Sequence, residues 1–129
     1  MKLQADRMEG RNAISRHGGE GVIVNGVEYR RHVLVPWSGE VSPWPVGNPS
    51  APSADDFGAV AALEPELVVF GSGSRLRFPP AAALRPLIER GIGIETMDTA
   101  AACRTYNVLL AEGRSVVAAL LFDGPAQGA

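Results

Sequence analysis

The sequence contains little cysteine and histidine. Cys103 is the single cysteine, and His17 and His32 are the two histidines. A lone cysteine excludes an internal disulfide, and these residues do not have the spacing of a structural metal site. We therefore predict no metal and no cofactor, and a reducing compartment such as the cytoplasm.

Long apolar runs and an excess of one charge are also missing. Nowhere do about 20 apolar residues follow one another, as a membrane-spanning helix requires, and segment 1–7 does not lead into the apolar run of an export signal. The formal net charge is −2 at pH 7 with both signs interspersed, so the chain offers no broad positive surface to phosphate backbones. We expect neither a transmembrane segment nor a nucleic-acid partner.

What is present is the composition of an ordinary globular domain. The chain has 129 residues, of which 46% are hydrophobic and 20% charged, and a chain of this size can bury a core without a disulfide or metal. We predict a single domain over 1–129. It comprises a β-rich part at about 1–50, an α/β part at about 53–122 and a frayed tail at 123–129. The oligomeric state is left open.

The β-rich part contains a clear hairpin signal. Asn25 and Gly26 lie between β-branched residues, and both positions of a type I′ turn need positive φ, which this pair tolerates. A further strand is predicted at 33–35. Five prolines between 36 and 52 remove amide donors, which restricts any strand there to an edge. Trp37 and Trp44 in this stretch are either exposed on a loop or packed beneath it.

The second part alternates strands and helices. Ser53 and Asp56 predict a capped helix that ends near Glu64, and the apolar run 67–70 predicts a central strand covered on both faces. A second helix is expected between Pro80 and Gly91, with Leu84, Leu87 and Ile88 on its apolar face and with interior Pro86 bending it or delaying its start. A strand is then predicted at 93–96, followed by a helix that Asp98 or Thr99 caps and that runs through Glu112. A last strand at 115–122 completes a layered α/β fold.

The best candidate for a working surface is the glycine turn, which consists of Gly71, Ser72, Gly73 and Ser74. It follows the carboxyl end of a predicted strand, where open α/β sheets bind ligands. Its backbone amides and hydroxyls, with the charge of Arg75 and Arg77, could hold a small anion. The alternative is a tight turn that only packs against the next element. Neither the dinucleotide fingerprint nor the phosphate-loop pattern is present.

A serine nucleophile at Ser72 is weakly supported. The nucleophile elbow places glycines two residues before and two residues after the serine, whereas the glycines here are its immediate neighbours. His17 and His32 could supply a base, but no ordered triad can be named. We therefore assign no catalytic residue.

A second group of polar residues lies on the predicted helix after Asp98 and Thr99. Cys103 and Asn107 are four residues apart and share a helix face, with Arg104 beside them. A thiol, an amide and a guanidinium could form one rim there. Cys103 is too far from the helix start for strong activation, so a buried and inert thiol is the favoured interpretation.

These residues together resemble a known family. The resemblance covers residues 12–122. It depends above all on the segment 97–109, which begins with Met97-Asp98-Thr99 and contains Tyr106-Asn107. The segments 67–73, 77–80, 91–93 and 112–114 add to it. The family is a small domain-of-unknown-function family. It includes a mitochondrial assembly factor of respiratory complex I, the NADH:ubiquinone oxidoreductase, and short bacterial and archaeal proteins.

The resemblance implies a fold and a class of function. The fold is α/β with three layers, a mixed β-sheet flanked by helices and an additional N-terminal β layer. The implied function is a non-enzymatic protein-interaction or assembly accessory role through protein partners, in the cytoplasm or peripheral at the inner face of the membrane. The alternative is a protein that binds a small anionic metabolite, or a minor enzyme. Its site would comprise the glycine turn with Arg75, Asp98, Thr99, Cys103, Arg104 and Asn107.

Overall fold

The structure is a computed structural model that describes residues 10–123. Residues 1–9 of the predicted β-rich part and residues 124–129 of the predicted tail lie outside the described residues. The strands are β1 (Ile14–His17), β2 (Val22–Val24), β3 (Val27–Tyr29), β4 (Val33–Pro36), β5 (Ser42–Pro43), β6 (Leu67–Gly71), β7 (Gly93–Met97) and β8 (Val116–Leu120). The α-helices are α1 (Ala54–Ala61), α2 (Arg85–Glu89) and α3 (Thr99–Ala111), and a 3₁₀ helix spans Ala81–Leu84.

The first three strands form a small antiparallel sheet in the order β1-β2-β3. Asn25 and Gly26 form the turn between β2 and β3 with φ values of 50° and 85°, and Val24 pairs with Val27 across it. The predicted type I′ hairpin is therefore confirmed. An asparagine and a glycine tolerate these backbone angles at low cost.

The remaining strands form a mixed sheet in the order β5-β4-β8-β6-β7. Strand β8 runs parallel to β6 and antiparallel to β4, and the short β5 with Pro43 forms one edge. The predicted strand at 67–70 is confirmed as β6, with side chains buried on both faces. Its predicted central position is wrong, because β8 occupies the centre. The N-terminal β4 adds to the far side of β8 and shifts the middle of the sheet by one strand.

Apolar side chains cover both faces of this sheet, which gives the three layers and confirms the predicted fold class. On one face, Val116 and Leu120 of β8 pack with Tyr106 and Leu110 of α3 and with the inner face of the small sheet. On the other face, alternate residues of β6 and β8 pack with α1, α2 and the loop that contains Trp44. The period of two along a strand sends neighbouring side chains to opposite layers.

The helix boundaries follow local capping signals. Ser53 and Asp56 form the predicted capping box of α1, although α1 ends at Ala61 rather than near Glu64. The segment before α2 is a 3₁₀ helix, and Pro86 lies in the first turn of α2, so the predicted late start is confirmed. Ile88 is 61% exposed, so the prediction that it belongs to the apolar face is wrong; in α2 the buried residue is Leu87, which packs in the core on this side of the sheet.

The two tryptophans have different environments. Trp44 is 1% exposed, and its Nε1 donates to the carbonyl oxygen of Asp56 at 3.0 Å. Its ring makes edge contacts with Phe57 and Phe70 at centroid distances of 5.7 and 6.0 Å. Trp37 is half-buried. The proline-rich loop is therefore fixed to the helical layer by Trp44. Among residues 10–123, no helix has the length and hydropathy needed to cross a bilayer.

Candidate functional site

The buried hydroxyl of Ser72 organises the loop that follows β6. Ser72 is 2% exposed, and its Oγ donates to the carbonyl oxygen of Arg75 at 2.6 Å. The same oxygen accepts the amide of Arg77 at 3.0 Å and lies 3.3 Å from the carbonyl oxygen of Met97. This hydroxyl is saturated by backbone groups, so its structural task is to hold the loop.

The glycine turn and the start of α3 are in direct contact. The amide of Gly73 donates to Thr99 Oγ1 at 2.8 Å, and the amide of Thr99 donates back to the Gly73 carbonyl oxygen at 2.8 Å. Thr99 Oγ1 also donates to the Leu121 carbonyl oxygen at 2.6 Å. A Cβ on Gly71 would lie 2.9 Å from the Thr99 Cα, so the contact depends on a residue without a side chain. One buried hydroxyl thus joins three segments of the chain.

A carboxylate of the chain occupies the outer donors of the turn. Asp123 Oδ2 accepts the Ser74 amide at 2.8 Å and the Ser74 hydroxyl at 2.6 Å. These hydrogen bonds lower the pKa of Asp123, and the positive charge of Arg77 adds to the effect. Gly73 has a φ of 106°, and a Cβ there would lie 2.6 Å from Asp123 Oδ1. The turn therefore holds an anion that belongs to the protein itself.

Asp98 and Arg75 do not share a site: Asp98 lies at the start of α3, and Arg75 lies on the loop after the glycine turn. The Asp98 carboxylate caps α3 by accepting the Ala101 amide at 2.9 Å, the ordinary role of an aspartate before a helix. Arg75 is exposed on the loop after the glycine turn. The ion pairs described within residues 10–123 involve Arg30 and Arg114 and not Arg75.

The structure separates the three polar residues of the second group. Cys103 is 0% exposed, and burial raises the pKa of its thiol to about 12. Arg104 is exposed. The Asn107 amide accepts the Ile14 N–H at 3.0 Å and donates to the Ile14 carbonyl oxygen at 2.6 Å. The thiol thus faces the core, the guanidinium faces solvent, and the amide binds an edge of the small sheet.

A cleft of about 1180 Å³ adjoins the glycine turn. Its lining includes Ser74, Asp98 and Thr99 together with the segment 16–23 around the turn between β1 and β2. Acidic and basic side chains both line the cleft. Among them, Arg30 Nη2 and Glu20 Oε1 form an ion pair at 2.7 Å. Within the described chain, no three His, Cys, Asp or Glu side chains could together hold a metal ion. The sequence pattern gives no sign that the β-rich part contributes to this lining.

His32, which the sequence offers only as a possible base, lies instead beside the chain end next to the glycine turn. It is 9% exposed, and its Nδ1 accepts the amide of Phe122 at 3.1 Å. Burial lowers the pKa of His32, while the nearby carboxylate of Asp123 acts in the opposite direction. His32 therefore fixes the chain end that supplies Asp123 to the glycine turn. No local signal could indicate this, because the partners are 90 residues apart.

The fold and the site together define a small three-layer α/β domain whose buried polar groups bind its own segments. The chain belongs to the family described as a protein of unknown function (DUF498/DUF598), whose model matches residues 14–121. This confirms the family that the residue pattern resembled.

Relatives of known name and known structure agree with this assignment. The chain is 37% identical over 111 residues, or 84% of its length, to the Bos taurus NADH dehydrogenase [ubiquinone] 1 alpha subcomplex assembly factor 3, of which the match spans 59%. A crystal structure of a Bordetella parapertussis protein has a TM-score of 0.82 at 39% identity and covers 88% of this chain and 98% of that one. A Bartonella henselae protein described as an outer membrane protein has a TM-score of 0.75 at 32% identity, covering 88% and 96%.

Proposed function

We propose that this protein is a non-enzymatic accessory protein that binds other proteins during the assembly of a respiratory complex. The observation that carries the proposal is its similarity to the bovine assembly factor 3 over 84% of the chain. The chain spans 59% of that relative, so the proposal concerns the shared domain and the kind of task it performs.

The internal use of the candidate chemical groups supports this proposal. The Ser72 hydroxyl and the Thr99 hydroxyl are engaged by backbone groups of the fold. Burial raises the pKa of the Cys103 thiol to about 12, and a cysteine attacks only as the thiolate. Groups that hold the fold together in this way are poorly placed to react with a substrate.

The proposal is tested by capture of partners from the native host. The full chain with an affinity tag is expressed at its natural level, and both the soluble and the membrane fraction are used because we propose action in the cytoplasm or at the inner face of the membrane. We expect reproducible enrichment of respiratory-complex subunits over an untagged strain, and loss of assembled complex on native gels after gene deletion. Normal assembly in the deletion strain would contradict the proposal.

The cleft beside the glycine turn supports a second candidate function, binding of a small anionic metabolite. The Ser74 donors that an anion would use are occupied by Asp123, so an external anion would have to displace this carboxylate. A thermal-shift screen with phosphates, nucleotides and carboxylates tests the idea, because a ligand specific for the folded state raises the unfolding midpoint. Asp123→Asn is the matched variant. A saturable shift in the native chain that increases in this variant would support the second candidate over the first.

A further inference from the structure

Two large apolar side chains are exposed on the loop that follows the glycine turn. Leu76 is 54% exposed and Phe78 is 73% exposed, the highest value among the exposed large apolar side chains of the described residues. Arg75, Leu76, Arg77, Phe78 and Pro79 are together named the Arg-Phe loop. Single exposed apolar residues are common, but an aromatic residue beside arginines has the composition of an interface centre.

The Arg-Phe loop is held in place at its base. Ser72 Oγ fixes the Arg75 carbonyl and the Arg77 amide, and Arg77 Nη1 lies 3.4 Å from Ser50 Oγ. Pro79 and Pro80 restrict the backbone on the far side. A loop that is already ordered loses little conformational freedom on binding, so more of the contact energy contributes to affinity.

The charge of this region indicates the chemistry of its partner. Residues 72–88 contain Arg75, Arg77 and Arg85 and no acidic residue, in a chain whose net charge is −2. The carboxylate of Asp123, whose pKa is lowered first by the Ser74 hydrogen bonds and to a smaller extent by Arg77, partly balances the charge of Arg77, whereas Arg75 is exposed. A complementary surface would carry carboxylates around an apolar pocket.

We propose that the Arg-Phe loop binds an acidic groove with an apolar pocket on a partner protein, with Phe78 in the pocket and Arg75 against the carboxylates. This inference rests on the proposed function, and it names the binding surface and the chemistry of the partner. A protein groove is favoured over a lipid surface, because two apolar side chains give only marginal membrane attachment.

Site-specific photocrosslinking in the native host tests the surface. The full chain carries p-benzoylphenylalanine at position 78, or at position 108, where Val108 is also exposed (57%) but lies on α3. We expect one dominant crosslinked protein from position 78, attached at an apolar site among Asp and Glu residues, and little product from position 108. Absence of a crosslink at 78, or attachment within a basic surface, would overturn the inference.

Variants with the purified crosslinked partner test the energetics. Phe78→Ser should weaken binding about tenfold or more, as truncation of a central aromatic anchor does. Arg75→Glu should weaken binding of the partner and make the affinity depend less on salt concentration. Val108→Ser should leave the affinity unchanged. Equal circular dichroism spectra and urea midpoints confirm that the variants fold.

The outcomes distinguish this inference from the proposed function. A partner whose affinity is unchanged by Phe78→Ser, or that crosslinks from position 108, overturns the assignment of the surface and leaves the accessory role standing. The protein is also sedimented with vesicles of equal parts phosphatidylcholine and phosphatidylglycerol. If the native chain sediments with them and Phe78→Ser does not, the binding partner is a lipid surface and the proposal of a protein groove is overturned. We expect no sedimentation of the native chain.

Discussion

At the scale of single residues, the polar side chains around the glycine turn close the structure on itself. Thr99 joins the turn to the segment after β8, Asp123 binds the outer side of the turn, and His32 holds the amide next to Asp123. Buried polar groups with complete hydrogen bonds stabilise a fold, and a single missing partner leaves another group unsatisfied at high cost. These residues therefore have stability effects that can be measured.

Replacing Thr99 should destabilise the protein. Thr99→Val keeps the shape but leaves the Gly73 amide and the Leu121 carbonyl oxygen without their buried partner, and each such group costs about 1–3 kcal/mol. We expect a loss of about 2–4 kcal/mol in the free energy of unfolding, measured with urea. Thr99→Ser retains the hydroxyl and should lose about 1 kcal/mol or less for the methyl group. Equal stability of the valine and serine variants would show that the hydroxyl has no such role.

His32 should make the protein less stable in mild acid. Its Nδ1 accepts a hydrogen bond, and burial holds its folded pKa below the ordinary value of 6.5. The unfolded chain therefore takes up the proton first as the pH falls. The stability that neutral His32 contributes is fully present above about pH 7. It decreases as the pH falls through the pKa of His32 in the unfolded chain and is lost once the pH passes its pKa in the folded protein. Urea midpoints between pH 8 and pH 5 measure it.

The matched variant for this prediction is His32→Asn. Its side-chain oxygen can accept the Phe122 amide but does not titrate. We expect its urea midpoint to vary less over the same pH range. A native-like pH dependence in His32→Asn would assign the effect to other groups.

At the scale of elements, the close approach of β6 and α3 depends on Gly71. A Cβ at this position would lie 2.9 Å from both the Cα and the Oγ1 of Thr99, and helix backbone cannot move away without loss of core contacts. Gly71→Ala should therefore cost about 1–3 kcal/mol. Gly58→Ala in α1, where a Cβ meets nothing within 4 Å, should stabilise by about 0.5–1 kcal/mol. Urea unfolding compares them, and similar stabilities would disprove the tight contact.

Asn107 connects α3 to the small sheet. Its amide makes two hydrogen bonds with the Ile14 backbone and so acts as a short strand partner for β1. Asn107→Leu should cost about 1–3 kcal/mol and speed amide hydrogen exchange in β1 and β2 more than in β6. Arg104→Ala on the exposed face of the same helix should change neither quantity. Uniform acceleration over the whole chain would contradict a local role.

Local signals allowed the sequence to predict much of this fold. The capping box at Ser53 and the hairpin at Asn25 lie within a few residues of what they determine, and both are confirmed. The identity of the central strand depends on β4 joining β8, a contact between distant segments, and it was predicted wrongly. The binding of Ser74 by Asp123 spans 49 residues, and the tail that contains Asp123 was predicted to fray. Side-chain partners at such separations leave no periodic pattern in the sequence.

At the scale of the whole molecule, two apolar cores, one on each face of the mixed sheet, connect the three layers. Cys103 lies in the core that contains residues of β1, β8 and α3, and the second core connects the same sheet to α1 and α2. Because β8 contributes to both cores, separation of one layer exposes side chains on which the other depends. We infer that the thiol of Cys103 becomes accessible when the layers come apart together, and not through a local movement of one loop.

Labelling of Cys103 should therefore report global unfolding. The thiol is 0% exposed with a pKa of about 12, so iodoacetamide at pH 8 should react only with opened molecules. We expect the labelling rate to rise with urea with the slope of global unfolding. Thr99→Val should accelerate labelling in proportion to its loss of stability, about tenfold for each 1.4 kcal/mol. A labelling rate that does not depend on urea would mean that α3 opens locally, and Cys103 would then be reachable in the folded protein.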